Sequence, residues 1–291
     1  MGSSNFGQAM NRVIGILLTA ALLPIAAAAG EEQLALRLAS GTQVHVRLMR
    51  PSDRAVRLPA IVVLGGLDRG SGVVDLIPRT TDAVLVGFDY PFVLPQRFGW
   101  TEALPLARRL EKGILETIET LGRLHALLAR RADIDADRLT IVGVSLGAPL
   151  AVIGAAEQDW RGVVIIDGFG DLPRTLRHQF VRRWRPRYGV FAEALAWLAQ
   201  TAAMRLVDAP EPEDSARRLR PHQLVYMINA EDDEFVPRRS AQALQDALRQ
   251  SGAQLTFETL PGRHVRARDE QAIAQLYARA SEWMGRQGLV D

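Results

Sequence analysis

The chain contains no cysteine. That absence removes a disulfide framework, a thiolate zinc site, a thiol nucleophile and a lipidated cysteine behind an export signal. A nucleophile in this protein must be an oxygen or a nitrogen. Lysine is almost as scarce: Lys112 is the lone one and every other basic residue is arginine, which reads as a compositional bias without mechanistic content. An excess of one charge is lacking too. Thirty-five basic residues face 33 acidic ones for a net +2, a balance that gives no reason to expect nucleic acid as a partner. Internal repeats, low-complexity tracts and a Gly/Ser/Pro-rich linker are missing, so 291 residues at 48% hydrophobic content read as one large domain with a real core.

Long apolar runs are rare as well, and the clear one lies at the start. VIGILLTAALLPIAAAA, Val13 to Ala29, follows Arg12 and precedes EEQ, the order of an export signal with a small-residue cleavage site. The expectation is a signal peptide over residues 1–29, a mature domain over 31–291, and a periplasmic or secreted address. An uncleaved segment would instead anchor the chain to a membrane.

What is present is an alternation of short apolar runs with helical periodicity. LALRLASGTQVHVRLM, beginning at Leu34, alternates apolar and polar residues about a Ser-Gly turn and predicts a β-hairpin. PAIVVLGG (Pro59 to Gly66), DAVLVGFDY (Asp82 to Tyr90), DADRLTIVGV, GVVIID, HQLVYMIN and AQLTFETL read as strands, several of them buried on both faces. Leu106, Leu110, Ile114, Ile118, Leu121, Leu124 and Leu128 recur at helical spacing between Thr101 and Arg131. Further helices are expected after Leu146, from Arg238 to Gln250 and from Ala267 to Met284. The sum is an α/β fold: a mostly parallel sheet with helices on both faces, whose ligands gather at the carboxyl ends of the strands.

Residues 168–221 break the alternation, being too long for a simple crossover. RTLRHQFVRRWRPR is amphipathic up to Pro186, with Leu176, Phe180 and Trp184 four apart, and YGVFAEALAWLAQTAAMRLV follows as a more apolar helix. The expectation is a helical cap over the strand ends; extra helices packed on a sheet edge are the plainer alternative.

Gly143-Val144-Ser145-Leu146-Gly147 follows a buried strand and opens a helix, the setting in which a Gly-x-Ser-x-Gly turn holds a serine nucleophile. A serine hydroxyl needs a base, and the base needs an orienting group. Of five histidines only His264, in LPGRHVRARDE, falls in a loop after the last strand. His45 lies on the hairpin, His125 on the long helix, His178 in the insert and His222 ahead of a strand. VYMINAEDDEFVP ends a strand in three acids, Glu231, Asp232 and Asp233, any of which could serve as the orienting group.

The order Ser, Asp, His on successive strand ends resembles the α/β-hydrolase superfamily, in particular its dienelactone-hydrolase-like and peptidase-like esterase branches. The resemblance covers nearly the whole mature chain. It implies a triad of Ser145, Asp233 and His264: relatives carry Gly-x-x-Asp before a nearby Pro, and Ala230 to Asp233 with Pro237 matches with alanine in place of glycine. Other relatives draw the acid from the preceding strand, which makes Asp167 the runner-up. The resemblance also implies an oxyanion hole from the backbone N–H groups of Leu146 and Leu67, although Gly65-Gly66 stands where many relatives have His-Gly. It further implies an acyl-enzyme mechanism without metal or organic cofactor, acting on a small-molecule or peptide acyl substrate. A carboxylic ester is the first expectation. A peptidase, thioesterase or acyltransferase uses the same triad, and a non-catalytic binding protein on this fold remains the reading from another class.

Overall fold

The computed structural model describes residues 30–51, 57–66, 69–78, 82–93 and 103–291. The expected signal segment of residues 1–29 and the expected oxyanion donor Leu67 lie outside them. No helix among the described residues is long and apolar enough to cross a membrane.

The hairpin forms as β1 (Gly30–Arg37) and β2 (Gln43–Arg50). β3 (Leu58–Leu64), β4 (Val84–Phe88), β5 (Ile134–Val144), β6 (Gly162–Ile166), β7 (Leu224–Ala230) and β8 (Gln254–Leu260) follow in the chain. They make one eight-stranded sheet in the order β1-β2-β4-β3-β5-β6-β7-β8. β1, β2 and β4 pair antiparallel and the rest of the sheet is parallel. The apolar runs earn their central places by feeding both faces. On β3, Ala60, Val62 and Leu64 enter one core cluster while Ile61 and Val63 enter the other; on β7, Val225 and Met227 face one side and Leu224, Tyr226 and Ile228 the opposite side. β8 lies at the edge and is only partly covered.

The helices are α1 (Ala103–Ala129), α2 (Gly147–Glu157), α3 (Leu172–Tyr188), α4 (Ala192–Leu206), α5 (Pro212–Arg217), α6 (Arg238–Gln250) and α7 (Glu270–Arg286). On α1 the predicted stripe is deepest at Leu121, Leu124 and Leu128, all fully buried. Further up, Thr117 and Thr120 join the buried face because their hydroxyls donate to the carbonyls of Gly113 and Glu116, one turn back, at 2.7 Å. α2 is buried all round, from Gly147 through Ala156, which is why its sequence shows no polar face.

In the insert, α3 runs through Pro186 to Tyr188 rather than ending at the proline. With only two residues left before the Gly189 cap, Pro186 interrupts little of the helical ladder. The short α5 and a 3-10 segment over Gly70–Leu76 had no periodicity to announce them, since six or seven residues are too few to show a helical hydrophobic repeat. Four loops leave the carboxyl ends of β5, β6, β7 and β8, and they carry Ser145, Asp167, Asp233 and His264 respectively.

Candidate active site

Ser145 immediately follows β5 and has φ 54°, in the left-handed region that non-glycine residues rarely occupy. Its own N–H continues the sheet by donating to Ile166 O at 2.8 Å, and its carbonyl accepts from Ala148 N–H at 3.0 Å as α2 begins. The flanking glycines are needed for space. A Cβ on Gly143 would come within 2.6 Å of Ala151 Cβ, and one on Gly147 would overlap the Leu64 backbone of β3. Strand and helix therefore touch backbone to backbone on either side of the serine, leaving its side chain at the end of the sheet. The Leu146 N–H at the mouth of α2 donates to no acceptor among the described residues.

His264 lies with its ring buried between the serine and an acid. Its Nε2 is 2.8 Å from Ser145 Oγ and its Nδ1 is 2.7 Å from Asp233 Oδ2. The loop holding Asp233 is built around the carboxylate, whose Oδ1 accepts the N–H groups of Phe235 and Val236 at 2.7 and 2.8 Å. That leaves Oδ2 for the imidazole. The acid and histidine loops are also tied together through Glu231 N–H to Leu260 O and Asp232 N–H to Gly262 O. Asp232 thus contributes backbone, and Asp233 is the acid brought to the ring. Burial opposes a charge on His264, but the hydrogen bond and charge of Asp233, with Asp167 and Glu234 behind it, hold the ring's pKa above the ordinary imidazole value.

Asp167, at the end of β6, is 2% exposed and also has a positive φ, 49°. Its Oδ1 accepts Ala230 N–H at 2.9 Å and its Oδ2 accepts Val265 N–H at 2.8 Å, so one carboxylate clasps the end of β7 to the middle of the histidine loop. Oδ2 lies 3.7 Å from His264 Nδ1, beyond hydrogen-bond length but near enough to contribute charge. Burial raises its pKa, as does the neighbouring charge of Asp233, against the two backbone donors and His264, which favour the ionised form. Asp167, Asp233 and His264 are the one cluster among the described residues whose ligand atoms lie close enough together to chelate a metal. Each carboxylate oxygen there already accepts from a backbone N–H or the ring, so a cation would have to displace the bonds that shape the loops.

Three neighbours of the site carry no signal in the sequence. Tyr90 donates its hydroxyl to Gly65 O at 2.8 Å and so pins the Gly65-Gly66 turn; burial raises its pKa and keeps it a donor. Phe235 packs its ring 5.0 Å from that of His264, and Arg182 and Arg266 place their guanidinium carbons 4.0 and 5.1 Å from the Phe235 centroid. α3 rests on the acid loop, with His178 Nε2 donating to Glu234 O at 3.0 Å and Gln179 Nε2 to Phe235 O at 2.5 Å. Thr175, His178, Gln179 and Arg182 share that helical face. The apolar pair Phe180 and Trp184 instead stack on each other, ring centroids 5.0 Å apart. The contacts of Tyr90 with Gly65 and of α3 with the acid loop join distant parts of the chain, and no local pattern encodes them.

Residues 117–288 match the sequence profile of the prolyl oligopeptidase family. No curated protein matches the sequence. Among solved structures, an esterase of Pyrococcus furiosus is similar with a TM-score of 0.59 and 11% identity, covering 88% of this chain and 90% of its own. An acetyl xylan esterase from Paenibacillus sp. R4 is similar at 0.57 and 16%, with 86% and 83% covered. The isopeptidase AtxE2 aligns at 0.60 and 21%, over 87% of this chain but only 39% of its own. The fold is thus that of α/β-hydrolase esterases and peptidases.

Proposed function

The chain belongs to the prolyl oligopeptidase family, and from that premise we propose that it is an exported serine hydrolase that cleaves a carboxylic ester through Ser145, His264 and Asp233. The observation that carries this reading is the hydrogen-bonded line Asp233 Oδ2, His264 Nδ1, His264 Nε2, Ser145 Oγ, with both bonds under 3 Å, ending on a serine held at positive φ.

Ser145 Oγ attacks the acyl carbonyl as its proton passes to His264 Nε2, and Asp233 holds Nδ1–H and stabilises the imidazolium. The oxyanion that forms is received by the Leu146 N–H, with Leu67 N–H as the second donor expected from the sequence. The imidazolium returns its proton to the leaving alcohol, giving the acyl-enzyme and a neutral ring. Water then repeats the sequence with His264 as base, releasing the acid and restoring the serine. The two esterases above, each similar over most of both chains, favour an ester. The isopeptidase supplies the second reading, amide cleavage by the same groups.

The test pairs a series of p-nitrophenyl esters of rising acyl length with aminoacyl p-nitroanilides. Ester turnover that disappears in Ser145→Ala, together with fluorophosphonate labelling that disappears with it, supports the proposal. Turnover confined to the anilides would move the assignment to the peptidase reading, and labelling of Ser145→Ala at the wild-type level would remove Ser145 from it.

A further inference from the structure

α3 and α4 form a hairpin joined by a short 3-10 turn over Gly189–Phe191, and its apolar side chains point the wrong way for folding. Val190 is 84% exposed, Phe191 73%, Leu198 55%, Trp197 52% and Tyr188 40%. Of the nine large apolar side chains left exposed among the described residues, these five and Leu206 all fall between residues 188 and 206. Single exposed apolar residues are ordinary, but a concentration on one hairpin marks a surface that something covers.

The charge around it says what. Between Leu172 and Leu206 the chain carries seven arginines and a single acid, Glu193, which is already paired with Arg177. The whole chain is nearly neutral, with 35 bases and 33 acids, so the rest of the molecule is net acidic and the hairpin is its positive pole. Arg185 and Arg187 are exposed within four residues of the Gly189–Phe191 turn, and Arg187 lies 5.4 Å from the Tyr188 ring centroid.

We propose that this hairpin docks the protein on an anionic lipid surface. Val190 and Phe191 enter the boundary between headgroups and acyl chains, Tyr188 and Trp197 lie at headgroup depth, and Arg185 and Arg187 meet lipid phosphates. A second copy of the hairpin would set arginine against arginine, and an acidic polymer would leave the apolar tip in water. An anionic bilayer satisfies both halves of the surface. This contact is separate from any made by the apolar run Val13 to Ala29. α3 also rests on the acid loop through His178 and Gln179, so docking brings the site to the lipid surface. The consequence that the substrate is an acyl group presented there rests on the function proposed above.

The absence of cysteine makes the experiment direct. Full-length Phe191→Cys, and Gln275→Cys on the exposed face of α7 as control, carry one polarity-sensitive fluorophore each. Vesicles of phosphatidylcholine with phosphatidylglycerol should shift the label at 191 to the blue and leave the label at 275 unchanged, and phosphatidylcholine alone should do neither. Adding Arg185→Gln and Arg187→Gln should raise the lipid needed for half the shift by roughly tenfold or more, while hydrolysis of a soluble ester stays at wild type. Sedimentation with vesicles without a shift at 191 would assign binding to the N-terminal run and overturn the proposal. So would equal shifts with both lipids, or a shift without vesicles that grows with protein concentration, the sign of a second copy on this face. Ser145→Ala in the labelled protein should dock unchanged, so docking and hydrolysis fail separately.

Discussion

The loops at the carboxyl ends of β5 to β8 and the α3–α4 hairpin treat the same physical problem in opposite ways. At the strand ends, charged and strained groups are buried and matched: Asp233 and Asp167 between them accept four backbone N–H groups and engage one imidazole. On the hairpin, apolar groups are exposed and unmatched, with Phe191 73% open to water. Burying an unpaired charge and exposing an apolar patch both cost free energy. The first is compensated inside the molecule and the second is not, so the strand ends read as a preorganised site and the hairpin as half of a contact.

The largest test of that contrast removes the centre of the matched region. Ser145→Ala should lower kcat by about a million-fold, the scale on which removal of a nucleophile acts, with the circular dichroism spectrum unchanged because the alanine keeps the Cβ that the turn already accommodates. Retained turnover would mean that the buried line of side chains is architecture rather than machinery.

Next comes the division of labour between the two acids. Asp233→Asn presents the wrong group to Nδ1 and should reduce kcat by about ten-thousand-fold. Asp167→Asn keeps one acceptor for two backbone donors, so it should destabilise the fold by about 1.5–3 kcal/mol in denaturant titration and lower kcat by only about tenfold. If the two kcat losses come out reversed, Asp167 is the orienting acid and Asp233 the clasp.

That distinction was only half visible in the amino-acid sequence. The β-strands show themselves because a strand buried on both faces must be apolar at every position, and Ser145 shows itself because its turn requires Gly143 and Gly147. His264 was legible by where the other four histidines fall. The clasp formed by Asp167 was not, since its partners are backbone N–H groups of Ala230 and Val265, which no side chain identity encodes. Tyr90 on Gly65 and α3 on the acid loop escaped for the same reason: they join residues far apart in sequence. Pro186 misled in the other direction, because a breaker two residues from a helix end has little helix left to break.

The pH profile gives a smaller effect with a definite sign. The protonated ring cannot accept the serine proton, so kcat/KM should fall as pH drops through the His264 pKa. Asp233, Asp167 and Glu234 together raise that pKa against the opposing effect of burial, placing the acid limb above the ordinary value of about 6.5. Removing the Asp233 charge should move the limb toward lower pH, measurable in the residual activity of Asp233→Asn. A limb that stays in place would mean that the carboxylate is not coupled to the ring.

The smallest expected effect bears on the hairpin. Phe191 makes no packing that folding depends on, so Phe191→Ser should change the unfolding free energy by less than about 0.5 kcal/mol, whereas truncating a fully buried residue such as Leu121 or Leu124 to alanine should cost about 2–5 kcal/mol. Urea titrations of the three variants make the comparison at fixed conditions. If Phe191→Ser cost more than about 1 kcal/mol, the ring would be covered within the folded chain, and the exposed tip would belong to the core rather than to a partner surface. A near-zero cost leaves those apolar atoms without a role in stability, and only an external contact then accounts for their place beside Arg185 and Arg187.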